Sequence, residues 1–281
     1  MRAVVAMLAA GGCTYAVNPL TNGTGSGPTT VPAATVPDAT LSIAPLAGGL
    51  APPASLAGES SYCWFLVNDE ALELFVVGMD SGSIEPVDVF TGDSIHDVFA
   101  LAYTGTSLVS VGHSGWSELD LASRTVRHVS NEDFRRGLGA LEDGQLLLAP
   151  LEGPLEVYPD LAALEAGTPA STLPEPGGDF ERIQIEGDLL YGAWHSTNSV
   201  EIVDLASGAT VRSLELEDYD TWVSGLGVAG GMIHLLDDGR SGEHPTGDRW
   251  ISRFDELSGD MVNEVDLGSL PHPVGLYCEA P

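Results

Sequence analysis

Five stretches of this chain repeat one pattern, and the clearest is SVEIVDLASGATVRSLEL, residues 199–216. It reads as a strand, a tight turn at Ala206-Ser207-Gly208 and a second strand. The pattern recurs as SIEPVDVFTGDSI from Ser83, SELDLASRTVRHV from Ser117 and ISRFDELSGDMVNEV from Ile251, with a weaker copy, LEVYPDLAALEAG, from Leu155. The shared core is Asp-x-x-[Ser/Thr]-[Gly/Arg], at Asp88-Thr91-Gly92, Asp120-Ser123-Arg124, Asp204-Ser207-Gly208 and Asp255-Ser258-Gly259, with Asp160 as the weak fifth member. A short acidic side chain at the start of a turn accepts hydrogen bonds from N–H groups two or three residues on. Glycine then supplies the positive φ that the hairpin needs. The aspartates are therefore read as turn residues, with a metal-ligand role as the alternative.

A second hairpin precedes each of the last four copies. VFALAYTGTSLVSVG, LGALEDGQLLLAP, RIQIEGDLLYGAW and LGVAGGMIHLL hold apolar runs on both sides of Thr104-Gly105, Asp143-Gly144, Gly187-Asp188 and Gly230-Gly231. A Gly-containing two-residue turn between apolar runs is a strong hairpin signal. Two hairpins make four strands. Four strands repeated at about 40–45 residues is the sequence form of a propeller blade. The chain is thus expected to be all-β, a β-propeller of four-stranded antiparallel sheets. Counting turns gives five blades. Counting first-strand-like runs gives six, because PVGLYCEA near the C-terminus resembles another one. Five is preferred, with that last strand closing the ring against the N-terminal blade. The one helical leaning is at Asp160–Ala166, in the weak third blade.

On these motifs the chain resembles the bacterial YVTN/LVIVD-type β-propeller repeats, over roughly Tyr62 to Cys278. WD40 repeats match less well, because no blade shows their Gly-His with a later Trp-Asp. The resemblance implies a fold. It does not imply one activity, since such folds carry enzymes, binders and scaffolds.

Residues 1–13, MRAVVAMLAAGGC, place one Arg before a short apolar run and small residues before Cys13. That is an export-signal layout. It resembles a bacterial lipoprotein signal, which implies lipidation at Cys13, although Ala10 stands where Leu is usual. An ordinary cleaved signal is the alternative. Residues 14–60 are rich in Thr, Pro, Ala, Gly and Ser, a composition that buries too little apolar surface to offset ordering entropy. They read as a disordered tether of at most roughly 150 Å. Residues 61–281 form the propeller domain, a length ample for one closed core. Together these readings make an exported, lipid-anchored envelope protein, touching the membrane only through its lipid and expected to be monomeric. In an exported chain Cys63 and Cys278, one at each end of the domain, are expected to pair in a disulfide.

The chain carries 41 acidic residues against ten arginines and no lysine, a net charge of −31. Phosphate binding needs Lys and Arg, so a nucleic-acid partner is excluded. Solubility accounts for much of the acidity; cation binding is the sharper reading.

Aligning the blades on their first-hairpin glycines puts His113 and His195 in equivalent positions, with Glu152, Asp80, and Asp237-Asp238 in the other blades. These converge on one expected rim, beside acidic connecting loops that include Glu132, Asp133, Asp179, Glu181 and Asp218. Oxygen ligands suit Ca²⁺, and paired histidines with a carboxylate suit Zn²⁺. A divalent ion, Ca²⁺ or Zn²⁺, is the one cofactor class the rim suggests, and the spacing matches no established metal motif. A solvated acidic rim is the alternative. Trp194 and Trp222 are read either as blade packing or as the wall of a ligand pocket, and His234, inside MIHLL, as a core histidine. No Gly-x-Ser-x-Gly, Walker, dinucleotide or haem-attachment motif is present. The leading expectation is a binding or scaffold module for a protein or glycan partner. The alternative is a metal-dependent propeller hydrolase, similar to lactonases, with an axial divalent cation.

Overall fold

The computed structural model describes residues 50–281 apart from 69–70, 96–97, 113, 131–134, 142–143, 151–152, 178–179, 195–197, 217–222, 238–248 and 269. Within these bounds the chain is a five-bladed β-propeller. Four blades are continuous in sequence. They are β4 (Val98–Tyr103), β5 (Ser107–Gly112), β6 (Gly115–Asp120) and β7 (Thr125–Ser130); β8 (Arg135–Ala140), β9 (Leu146–Pro150), β10 (Leu155–Tyr158) and β11 (Ser171–Leu173); β12 (Arg182–Glu186), β13 (Leu189–Ala193), β14 (Ser199–Asp204) and β15 (Thr210–Glu215); and β16 (Val223–Ala229), β17 (Met232–Asp237), β18 (Trp250–Asp255) and β19 (Met261–Asp266). The remaining blade is composite. β1 (Tyr62–Asn68), β2 (Leu72–Gly78) and β3 (Ile84–Gly92) supply its three outer strands, and β20 (Pro273–Glu279) pairs with β1 as its innermost strand. The expected closure of the ring by the C-terminal strand is what the structure shows.

The composite blade also corrects a register. Because its inner strand comes from the far end of the chain, β1 is the second strand of its blade, not the first. SIEPVDVFTGDSI is therefore an outermost strand and not a hairpin. Asp88 lies within β3, where its carboxylate pairs with Arg124 at 2.7 Å.

The other turn aspartates behave as expected. Asp120 Oδ1 accepts from the Ala122 and Ser123 N–H groups, Asp204 Oδ1 from Ser207 N–H and Oγ, and Asp255 Oδ1 from Leu257 and Ser258 N–H. These bonds hold all three carboxyls below the usual carboxylate range. In the third blade the same turn is drawn out into a helix, α1 (Leu161–Ala166). Asp160 caps its N-terminus through Ala163 N–H at 2.8 Å.

Strand alternation divides the core. In β1, Tyr62, Trp64 and Leu66 face the second blade, whereas Cys63, Phe65 and Val67 face the last. Both faces of a middle strand are thus buried, which is why these runs read as continuous apolar sequence. One apolar cluster fills each of the five junctions between neighbouring blades. Each fully buried Leu, Val or Phe there contributes about 1.5–3 kcal/mol. The packing starts before residue 61. A single 3-10 turn at Ala54–Leu56 drives Leu56 into the junction of the first two blades. Among the described residues no helix is long and apolar enough to cross a membrane.

Candidate functional site

The five inner strands, β20, β4, β8, β12 and β16, surround the propeller axis. Small residues let them crowd together. Gly137 and Gly139 of β8 face Ile183 and Ile185 of β12, where an added Cβ would sit 2.8 and 2.6 Å from side-chain carbons. Gly225 and Gly227 of β16 face Leu276 and Cys278 of β20. Both strands carry Gly-Leu-Gly, the sequence mark of this close approach.

The ladder does not continue between inner strands of different blades, so their backbone groups need other partners. Gln184 of β12 supplies some of them. Its Nε2 donates to Val228 O at 2.8 Å and Cys278 O at 3.0 Å, and its Oε1 accepts from Val228 N–H at 2.9 Å. One amide thereby ties three blades together at the axis. The composite blade has its own lock, a disulfide between the paired residues Cys63 and Cys278.

Below Gln184 the axis opens into a cavity of about 570 Å³, at the end where the inner strands finish. Its walls include Tyr103, Gln184, Glu186, Tyr277 and Glu279, and the leading segment Leu50–Pro52 crosses its edge. Both charged side chains lining it among the described residues are acidic. Glu279 is half-buried, and burial pushes its carboxyl up to about 7, against hydrogen bonds from Tyr277 and the Leu50 backbone. Tyr277 Oη donates to Glu279 Oε2 at 3.2 Å. The rings of Tyr103 and Tyr277 lie 6.1 Å apart, and Trp64 stands 6.1 Å behind Tyr277. A concave site with aromatic walls and a perturbed carboxyl has the features of a ligand pocket.

This mouth is at the opposite end of the axis from the expected rim. Asp80, expected on the rim, lies instead in the β2–β3 turn, among the turns that join third to outermost strands. The one-strand offset of the composite blade moves it there. It is also occupied: its carboxylate accepts from Ser60 N–H and Oγ at 2.7 Å each and from Arg253 Nη1 at 2.8 Å, bonds that lower its pKa. Asp237 ends β17 on the rim side and is buried, and Trp194 follows β13 on that same side. Glu181, expected in an acidic loop, is buried and paired with Arg182, whose guanidinium lies 5.0 Å from the Phe99 ring centroid. His113, His195, Glu152, Asp238, Trp222 and Cys13 lie outside the described residues.

His234 is the core histidine that its sequence suggested. It is fully buried, shares a 3.3 Å hydrogen bond with Ser61 Oγ, and is driven down to about 3 by burial and then by Arg253. Its ring nitrogen comes within 4.8 Å of the Cys63 and Cys278 sulfurs. Those sulfurs are bonded to each other, and metal ligation by cysteine needs the thiolate.

No protein-family model matches the chain, and no curated protein matches it either. Among solved structures it is similar to a protein of unknown function from Bacteroides caccae, with a TM-score of 0.51 at 11% identity over 78% of this chain and 99% of that one. The glutaminyl cyclase of Myxococcus xanthus matches with a TM-score of 0.45 at 14% identity, over 60% of this chain and 71% of that one. The hydrazine synthase of Kuenenia stuttgartiensis matches with a TM-score of 0.40 at 17% identity, over 63% of this chain and 51% of that one, about half its length. At such identities the likeness is one of fold, and of these three the Bacteroides caccae protein, with a TM-score above 0.5, is the one that supports it.

Proposed function

We propose that this chain is a binding module, an envelope propeller that holds a protein or glycan partner at the axial mouth. The observation that carries this reading is the composition of the cavity. Aromatic, apolar and carboxyl groups line it, and among the described residues no Ser, Thr, His or Lys does. Its one cysteine, Cys278, is committed to the disulfide. Nucleophilic catalysis needs an activated hydroxyl, thiol or amine beside a base; the hydroxyls of the described wall are the phenols of Tyr103 and Tyr277, and burial raises the pKa of both, away from activation. The disulfide supports an oxidising compartment, in keeping with export and with a lipid anchor at Cys13. Of the metal-ligand candidates of the hydrolase reading, Asp237, Asp238, His113 and His195, only Asp237 lies among the described residues, and Asp80, expected beside them on the rim, is bonded to Arg253 on the other face.

The test uses the full-length protein on glycan and peptide arrays, beside an Ala140→Trp variant. Ala140 ends β8 on the cavity wall, so an indole there fills the mouth from the side opposite Glu279. Binding that the indole abolishes supports the reading. Binding indifferent to it, or a stoichiometric divalent ion found by elemental mass spectrometry together with ester or lactone hydrolysis, would replace the reading with the rim or the hydrolase.

A further inference from the structure

The walls of the mouth also limit what can bind there. This step rests on the binding reading above. The cavity offers two carboxyls, Glu186 and Glu279, from opposing inner strands, and no cationic side chain among its described lining. An anionic ligand would therefore find no counter-charge there, whereas a cation stabilises the ionised form of carboxyls whose pKa burial raises. The Tyr103 and Tyr277 rings stand beside Glu279. Aromatic faces attract cations through their quadrupole, more strongly where water is displaced. Glu279 is held in place: one of its oxygens accepts from Tyr277 Oη, and the Leu50 backbone bonds the same carboxyl. A positioned carboxylate flanked by tyrosines is the arrangement that recognises an alkyl ammonium. The net charge of −31 adds long-range attraction for a basic partner.

We infer that the channel mouth takes a primary ammonium group, presented as a lysine side chain on a basic segment of a protein partner. The side chain's four-carbon stem would lie along the apolar wall of Leu101, Ile183 and Ala229, with the ammonium at Glu279. Lysine suits this geometry because its charge is compact and its stem flexible.

The test is isothermal titration calorimetry of the full chain at physiological salt with three probes: hexalysine, spermidine, and a neutral hexasaccharide. Glu279→Gln keeps the shape of the side chain and removes its charge. Glu215→Gln, on an exposed outer strand, controls for diffuse surface attraction, and Ala140→Trp blocks the cavity without touching Glu279. The expected result is hexalysine binding that falls about tenfold in Glu279→Gln and is lost in Ala140→Trp, with Glu215→Gln unchanged. Equal losses in Glu279→Gln and Glu215→Gln would overturn the inference in favour of diffuse charge. Spermidine binding with the same Glu279 dependence, and none by hexalysine, would overturn the protein source. Saccharide binding lost in Ala140→Trp, with no cation binding, would overturn the inference and leave the binding function standing. If no probe responds to Ala140→Trp, both fail. Thermal melts of each variant separate loss of binding from loss of fold, and a Glu279→Gln that melts early is replaced by Tyr277→Phe, which frees the carboxylate from its donor.

Discussion

At Gly227 the chain has no room for a single methyl group. A Cβ there would run into the sulfur of Cys278 on the neighbouring inner strand, and neither the disulfide nor the strand can move aside. Gly227→Ala is expected to destabilise the fold by about 1–3 kcal/mol, read as a lower midpoint in urea with an unchanged slope. Arg124 illustrates a different constraint. It holds φ at 57°, where two sister turns place Gly208 and Gly259, and its guanidinium reaches Asp88 of the preceding blade. His234 gives a prediction in pH. The folded state keeps its imidazole neutral down to about 3, whereas the unfolded chain titrates near the usual 6.5. Between these values the unfolded state binds the extra proton, so stability falls as the pH falls. The full window is worth on the order of 5 kcal/mol. His234→Leu should flatten the acid side of the stability curve, measured by denaturant titration from pH 7 to 4. Glu279, raised to about 7, acts with the opposite sign: its contribution is lost as the pH rises from its ordinary range through 7.

Among the elements, the inner strands bear the most unusual demand. They lie side by side around the axis without a continuous ladder, and their backbone groups still need partners. Gln184 meets part of that need for β16 and β20 with both ends of its amide. Gln184→Met preserves the volume but removes every one of these bonds. It should cost on the order of 3 kcal/mol, because buried backbone donors and acceptors are left unmatched. A parallel Leu190→Ile substitution in β13, buried but without a polar role, should cost much less. If the two cost the same, the amide bridge is not what holds the inner strands. The outer strands face the opposite situation. Val211, Met261 and Val262 are exposed there, and the turns that lead into those strands are fixed locally by Asp204 and Asp255.

For the molecule as a whole, closure is the decisive event. β20 must find β1 across 215 residues, and the Cys63–Cys278 bond then holds the pair. Cross-linking so long a loop stabilises by roughly 2–5 kcal/mol. At a shift of about 2–4 °C per kcal/mol for a domain this size, the paired Cys63→Ser, Cys278→Ser variant should melt about 10 °C lower in calorimetry. Reductant should lower the wild type similarly and leave the variant unmoved. Peptide mapping with and without reductant tests the bond directly. A variant as stable as the wild type would show that the five apolar junctions alone keep the ring closed.

Short-range patterns are enough for the unit: four strands, hairpin glycines, and turn aspartates at 120, 204 and 255 whose partners lie two or three residues away. They also mark the two cysteines and the core position of His234. These features rest on interactions between near neighbours in the chain, so a short window contains them. The assignment of strands to blades is made by the folded ring. That choice placed Asp80 on the face opposite the expected rim, put Gln184 between three blades, and gathered Tyr103, Tyr277, Glu186 and Glu279 around one cavity. Closure by the C-terminal strand was legible, because PVGLYCEA repeats the first-strand pattern and a cysteine stands at each end of the domain. Its frame was not: β20 enters as the innermost strand beside β1 and shifts the first blade by one strand, a choice set by contacts between the two ends of the domain and not by neighbours in sequence.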